Sequence, residues 1–208
     1  YCGDRWADFA GNGLGYNQWF PLSFTEDSLG VAQPYFNSLS QWTLNCKTGE
    51  WKVGKDNNYI LNGSFEADRR RIPNPVKPRQ EYLLGWDTKV IEGNAVSLDN
   101  PHSPKLNYEN TQADRQVVIG EKSLCISDSV DFERIVSQTI ESTEFVALPD
   151  GRYLLSFYFR ENGLFETLDI VVNSGKKLHL AKAKTGDQWQ KASMKVRIKG
   201  GRAQVQFH

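Results

Sequence analysis

Long apolar runs are missing from this chain. No stretch approaches the roughly 18 residues that a membrane-spanning helix needs, which sets aside a helical membrane span. Net charge is missing too: Lys plus Arg and Asp plus Glu number 25 each in 208 residues. No chain-wide field therefore draws the protein to nucleic acid or to an anionic membrane, and neutral ligands remain open. Histidine is scarce, with His102, His179 and His208 its three occurrences, and none neighbours a Ser or Cys nucleophile motif. A hydrolytic triad has no support. Cys2, Cys46 and Cys125 are odd in number and show no CxxC spacing, which argues against a zinc site or a disulfide framework. They read as small buried residues, with a Cys2–Cys46 bridge left open by their shared place in the N-terminal block. The opening Tyr1-Cys2-Gly3-Asp4 lacks the shape of a signal peptide. Either a leader has been removed or the chain is a piece of a longer polypeptide.

Aromatics and turns are plentiful. Residues 1–53 hold four of the six tryptophans, Trp6, Trp19, Trp42 and Trp51, in short segments separated by Gly-, Asn- and Ser-rich turns. Gln41-Trp42-Thr43-Leu44-Asn45 and Glu50-Trp51-Lys52-Val53 flank the turn Cys46-Lys47-Thr48-Gly49, with Gly49 at its left-handed position, the pattern of a hairpin. So small a block buries too little surface to be stable alone and is expected to dock on other sequence, with sequence upstream of Tyr1 as the expected partner. Residues 54–59 form a polar connector. Then Tyr59-Ile60-Leu61 enters Asn62-Gly63, predicting a short strand and a turn that needs positive φ. Beyond it, Arg69-Arg70-Arg71 leads into a proline-spaced loop that excludes helix and inner strand.

From Leu83 onward the chain predicts many short strands and no convincing amphipathic helix. Candidates include Gly85–Ile91, Arg115–Gly120, Ile135–Ile140, Tyr153–Arg160, Thr167–Asn173, Lys176–Ala181, Ala192–Ile198 and Ala203–Phe207, spaced as in a β-sandwich. Alternation assigns Tyr153, Leu155, Phe157 and Phe159 to the core and turns Tyr158 and Arg160 outward. Leu168, Ile170 and Val172, then Ala192, Met194, Val196 and Ile198, then Val205 and Phe207 alternate with polar neighbours in the same way. The remaining positions suggest one outer face that shows Tyr158, Arg160, Asp169, Asn173, Lys195 and Arg197 together.

That set suits a sugar, which offers a flat apolar side and a rim of hydroxyls to an aromatic platform flanked by planar hydrogen-bonding groups. The candidate carbohydrate-binding residues are Tyr158, Arg160 and Asp169, with Phe165 beside Glu166 at a hairpin tip. An exposed ion pair of Arg160 with Asp169 is the plainer reading. Trp86 and Trp189 are further platform candidates, although both lead into strands and suit a core equally. Acids are plentiful, and glycoside hydrolysis needs only two placed carboxylates.

The two halves together resemble glycoside hydrolase family 43. Gly3-Asp4-Arg5-Trp6, Trp19-Phe20-Pro21-Leu22-Ser23-Phe24 and the Trp42–Trp51 hairpin are similar to the end of that family's five-bladed β-propeller, especially in the galactan-degrading branch. Asn62-Gly63-Ser64-Phe65-Glu66, Gly85-Trp86, Ser137-Gln138-Thr139-Ile140 and Asp150-Gly151-Arg152-Tyr153 resemble the galactose-binding-like jelly roll that follows such propellers. The resemblance implies an all-β chain with a last propeller-blade segment in 1–53, a connector in 54–59 and a jelly-roll carbohydrate-binding module in 60–208. It implies a secreted or periplasmic O-glycosyl hydrolase that inverts at arabinose- or galactose-containing glycans. Its partners are oligo- or polysaccharide and upstream blades of the same polypeptide, not nucleic acid. The family's three catalytic acids lie on earlier blades, so none is assigned here. Asp4, Arg5, Trp6, Gln18 and Trp19 are candidates for the pocket border. Glu66 corresponds to a ligand of the structural Ca²⁺ that such jelly rolls bind, through oxygen atoms alone. A purely non-catalytic structural or carbohydrate-binding module is the alternative.

Overall fold

The computed structural model describes residues 2–5, 16–63, 85–94, 105–107, 123–126, 128–160, 167–173, 176–181 and 188–208. Every regular element among them is a strand, so the chain is all-β. The tri-arginine and proline-spaced segment and the expected strand Arg115–Gly120 lie outside the described residues.

Local turn chemistry shapes the first part as three successive antiparallel hairpins. β1 (Cys2–Arg5) pairs with β2 (Tyr16–Trp19), β3 (Leu22–Glu26) with β4 (Ala32–Phe36), and β5 (Trp42–Leu44) with β6 (Trp51–Val53). Asp27 shapes the β3–β4 turn by accepting the Val31 and Leu29 backbone N–H groups, each at 2.9 Å. Those two bonds, Val31 first, hold its carboxyl below the ordinary value. Gly49 takes φ 78 between β5 and β6, as expected. Trp51 donates its indole N–H to the Leu22 carbonyl at 3.2 Å and so ties the second of these hairpins to the third. Cys46 sits in the β5–β6 turn, where side chains meet water. Both Cys46 and Cys2 are exposed and free, which corrects the expectation of burial and removes the bridge between them.

The connector is held rather than loose. Asn57 Oδ1 accepts from the N–H groups of Ser40 at 2.9 Å and Gln41 at 3.3 Å, and Gln41 Oε1 accepts from the Asp56 N–H at 2.7 Å. Among the described residues, however, the buried members of the apolar clusters lie further along the chain, from Trp86 to Val205.

There, β7 (Asp87–Glu92), β8 (Lys105–Asn107), β9 (Ser123–Cys125), β10 (Glu133–Glu141), β11 (Gly151–Phe159), β12 (Thr167–Val172), β13 (Lys176–Ala181), β14 (Gln190–Ile198) and β15 (Arg202–Phe207) follow in order. One antiparallel sheet runs β13-β12-β15-β10-β7, while β11 pairs with β14, and β8 with β9, as separate ladders. Ile170 and Val172 of β12 and Val205 of β15 meet Met194 and Val196 of β14, with Tyr153, Leu155 and Phe157 of β11 packed against them. The core therefore lies between the five-stranded sheet and the β11–β14 pair. Phe157 and Phe207 join the two edge to face, 5.4 Å between ring centroids. Gly200 and Gly201, at φ 72 and 64, make the two-residue turn from β14 to β15, a geometry that side chains with a Cβ adopt poorly. Asp150 Oδ1 accepts the Gly200 N–H at 2.7 Å and links that turn to the start of β11.

Tyr59 to Gly63 is a run of turns rather than the expected strand. The reason is Gln138, which points inward from β10 and is 2% exposed. Its Oε1 accepts the Leu61 N–H at 2.8 Å, and its Nε2 donates to the carbonyls of Leu61 at 2.9 Å and Gly85 at 2.7 Å. One side-chain amide thus supplies Leu61 with the donor and acceptor that a neighbouring strand would supply. Asn62 takes the positive φ of the turn, at 48, and its carbonyl accepts the Trp86 indole N–H at 3.3 Å. A Cβ on Gly85, φ 80, would stand 3.3 Å from Gln138 Nε2. The edge-to-face contact of Tyr59 with Tyr153 completes this clamp.

A second polar anchor fixes the approach to β10. Asp128 pairs with the fully buried guanidinium of Arg134, and accepts the backbone N–H groups of Asn94 at 3.0 Å and Ser129 at 2.6 Å. Burial pushes the Asp128 carboxyl up, but those two backbone bonds, the Asn94 amide and the Arg134 charge together hold it well below the usual carboxylate range. A depressed folded-state value means that the stability Asp128 contributes is complete above its unfolded value of about 4 and is lost as pH falls from there through the folded value. Urea denaturation of wild type and Asp128→Asn should show the variant weaker at neutral pH and the gap closing in acid. A gap that stays constant with pH contradicts this role.

Candidate functional site

The outer side of β11 and β14 is where exposed side chains of binding chemistry collect. Alternation along β11 half-buries the odd-numbered residues and exposes the even ones, leaving Leu154 63% and Tyr158 41% exposed. The register sets Arg152 opposite Arg197, Leu154 opposite Lys195, Ser156 opposite Ser193 and Tyr158 opposite Lys191. Lys191 Nζ stands 5.6 Å from the Tyr158 ring centroid, and the Arg160 guanidinium lies 5.1 Å over the Trp189 ring, just past the end of the ladder. Two cation–aromatic pairs thus sit side by side with opposite polarity: the aromatic on β11 in one, and beside β14 in the other. Trp189 is half-buried beneath Arg160, whereas Tyr158 keeps part of its ring open to water. From Arg152 to Arg160 the strip is about 27 Å long at the usual rise of a strand.

Other sequence-predicted residues lie apart from this strip. Tyr158, Arg160, Lys195 and Arg197 belong to it, but Asp169 and Asn173 follow β12 into the five-stranded sheet. Asp169 is 8% exposed, and its backbone N–H and carbonyl pair with His208, both at 2.8 Å. The single outer face expected to gather Tyr158, Arg160 and Asp169 is therefore split. Alternation tells which residues share a side of one strand and nothing about which strands become neighbours. Trp86 is core, packed against Val136 and Phe207, and offers no platform. On β1 and β2 the backbone register sets Asp4 opposite Asn17 and Gln18 opposite Gly3, with Trp19, largely exposed, opposite Cys2. Trp6, Phe165 and Glu66, the expected calcium ligand, lie outside the described residues. Among the described residues no three His, Cys, Asp or Glu side chains group to hold a metal ion, and no helix is long and apolar enough to cross a membrane.

Sequence reasoning missed Lys191 and Ser193 because neither belongs to a motif; only the pairing of β14 with β11 brings them to Tyr158. Tyr153, across the strand, is an inner residue. Its hydroxyl donates to the Pro149 carbonyl at 2.6 Å, and burial, then the neighbouring Tyr59 and Asp150, push its pKa above the ordinary tyrosine value.

Comparison of folds aligns all of this chain with crystal structures of an exo-β-1,3-galactanase from Phanerochaete chrysosporium. A variant of that enzyme with β-1,3-galactotriose aligns at 18% identity and a TM-score of 0.33. A second variant with the same trisaccharide gives 18% and 0.30, and the enzyme with galactose gives 17% and 0.31. The chain spans 36% of the length of each. At these scores the alignments carry no argument about this chain's site or activity. No protein-family model and no curated protein matches the chain.

Proposed function

We propose that this chain serves a carbohydrate-active protein and that its sandwich holds glycan on the outer side of β11 and β14. The observation that carries the proposal is Tyr158, a part-exposed aromatic bracketed by Lys191, Ser156 and Ser193 on a flat sheet surface. A sugar ring stacks on such a platform while its hydroxyls meet the surrounding polar groups. The resemblance to glycoside hydrolase family 43 supports the wider reading. In that reading the chain is the C-terminal portion of a secreted or periplasmic inverting enzyme, with the end of a propeller followed by a jelly roll. The enzyme acts on arabinose- or galactose-containing glycans, and its catalytic acids stand on other blades.

Titration with galactan, arabinan and arabinogalactan tests the binding step. Saturable binding to at least one of them is expected, and Tyr158→Ala should weaken it about tenfold or more, a loss on the scale of one stacked ring. Binding that survives in Tyr158→Ala moves the site elsewhere. Absence of binding to all three leaves the sandwich as a scaffold. Hydrolysis of any of them by this chain alone overturns the placement of the acids.

A further inference from the structure

The chain is neutral as a whole, with 25 cationic and 25 acidic residues, yet its charges are not evenly spread. Residues 151–160 contain Arg152 and Arg160, and residues 189–199 contain Lys191, Lys195, Arg197 and Lys199, without a single Asp or Glu in either segment. The β11–β14 register sets Arg152, Lys191, Lys195 and Arg197 on one narrow sheet face, with Arg160 and Lys199 just past its two ends. Among the described residues, Arg152, Arg197 and Lys199 meet no carboxylate within ion-pair distance. Asp150, the acid immediately before β11, accepts the Gly200 N–H. Such a face concentrates anionic polymer locally even though the protein carries no net charge.

We propose that the β11–β14 face binds an acidic polysaccharide, a chain of sugars bearing carboxylates, with Tyr158 stacking on a ring and Arg152, Arg197 and Lys199 meeting the carboxylates. This names the ligand class of the site in the preceding section and rests on that reading. Guanidinium groups bind carboxylates through two parallel hydrogen bonds, and the rung of Arg152 opposite Arg197 presents two such groups side by side. The Ser156 and Ser193 rung, between that pair and Tyr158, supplies hydroxyl donors and acceptors for the neutral part of the ring. Single-stranded nucleic acid shares the charge but stacks on successive open aromatic platforms. Here Arg160 lies over the Trp189 ring and Lys191 stands 5.6 Å from the Tyr158 ring centroid, so this face offers one part-exposed ring, Tyr158, and no succession of open platforms.

The experiment measures binding of the full chain to oligogalacturonate and to neutral galactan oligosaccharides of equal length, with dextran sulfate and single-stranded RNA as competing polyanions. Wild type should prefer oligogalacturonate about tenfold or more at low salt, and the preference should shrink as salt rises. The triple variant Arg152→Gln, Arg197→Gln, Lys199→Gln should lose that preference while keeping neutral binding and the wild-type melting temperature. The double variant Arg152→Lys, Arg197→Lys should keep the charge but lose part of the affinity. Unchanged preference in the triple variant overturns the inference while leaving the glycan reading intact if neutral binding still depends on Tyr158. Equal or tighter binding of dextran sulfate overturns it in favour of a general polyanion surface. Tighter binding of RNA, with no glycan bound, overturns both readings.

Discussion

Gln138→Ala is expected to lose on the order of 2–4 kcal/mol of stability, because the three backbone groups that this buried amide serves are left without partners at a part-buried turn. The Leu61 N–H, the Leu61 carbonyl and the Gly85 carbonyl have 2.7 to 2.9 Å bonds to this one side chain. Each unpaired buried group costs about 1–3 kcal/mol, and some of the sum is recovered where the turn shifts toward water. In a chain of this length about 1 kcal/mol lowers the melting temperature by roughly 2–4 °C, so a fall of about 10 °C is the expected reading. Gln138→Asn removes one methylene and cannot span to both Leu61 and Gly85, so it should recover little. Gln138→Glu should be at least as damaging at neutral pH, since a carboxylate faces two carbonyl oxygens and lies buried. Urea denaturation checks all three. A Gln138→Ala variant within about 1 kcal/mol of wild type contradicts the clamp.

The second large effect is at Trp86. Its ring is 6% exposed, packs on Val136 and contacts Phe207 at 5.8 Å, and its indole N–H reaches the Asn62 carbonyl. Trp86→Ala should cost about 3–5 kcal/mol, the range for deleting a buried large aromatic. Trp86→Phe refills most of the volume and gives up one long hydrogen bond, so its loss should be near 1 kcal/mol. Glycan binding by the folded Trp86→Phe protein should equal that of wild type. The opposite pattern, with stability kept and binding lost, makes Trp86 a sugar platform and removes it from the core.

These two residues explain why motifs and function separate in this chain. The Asn62-Gly63 turn, Gly85-Trp86, Gln138 and Tyr153 carry the resemblance to a carbohydrate-binding jelly roll, and the structure brings all of them into one clamp around Leu61. That chemistry holds the chain's entry into the sandwich. The candidate sugar surface uses other residues, on the far side of β11.

The core faces of the later strands were legible because a period of two is a local signal: Leu155 and Phe157, Met194, Val196 and Ile198, and Val205 all point inward as their spacing indicates. Strand order was not, since β14 follows β13 in the chain yet pairs with β11, and nothing within either segment specifies that choice. This is why Asp169 was grouped with Tyr158 and is found in the other sheet. Two further signals were present in the sequence. A glutamine between Val136 and Ile140 on the inward side of a strand demands buried partners. Charges counted strand by strand also show the basic face that the neutral total conceals.

A glycan site on β11 and β14 is tested by the perturbation of backbone amide resonances as a carboxylated and a neutral galactose-type oligosaccharide are titrated into the chain. Shifts should concentrate at residues 152–160 and 189–197, centre on Tyr158 and Lys191, and extend to Arg152 and Arg197 with the carboxylated ligand. Shifts confined to the hairpins of residues 16–53, to the outer side of the five-stranded sheet, or absent with both ligands contradict a glycan site on β11 and β14.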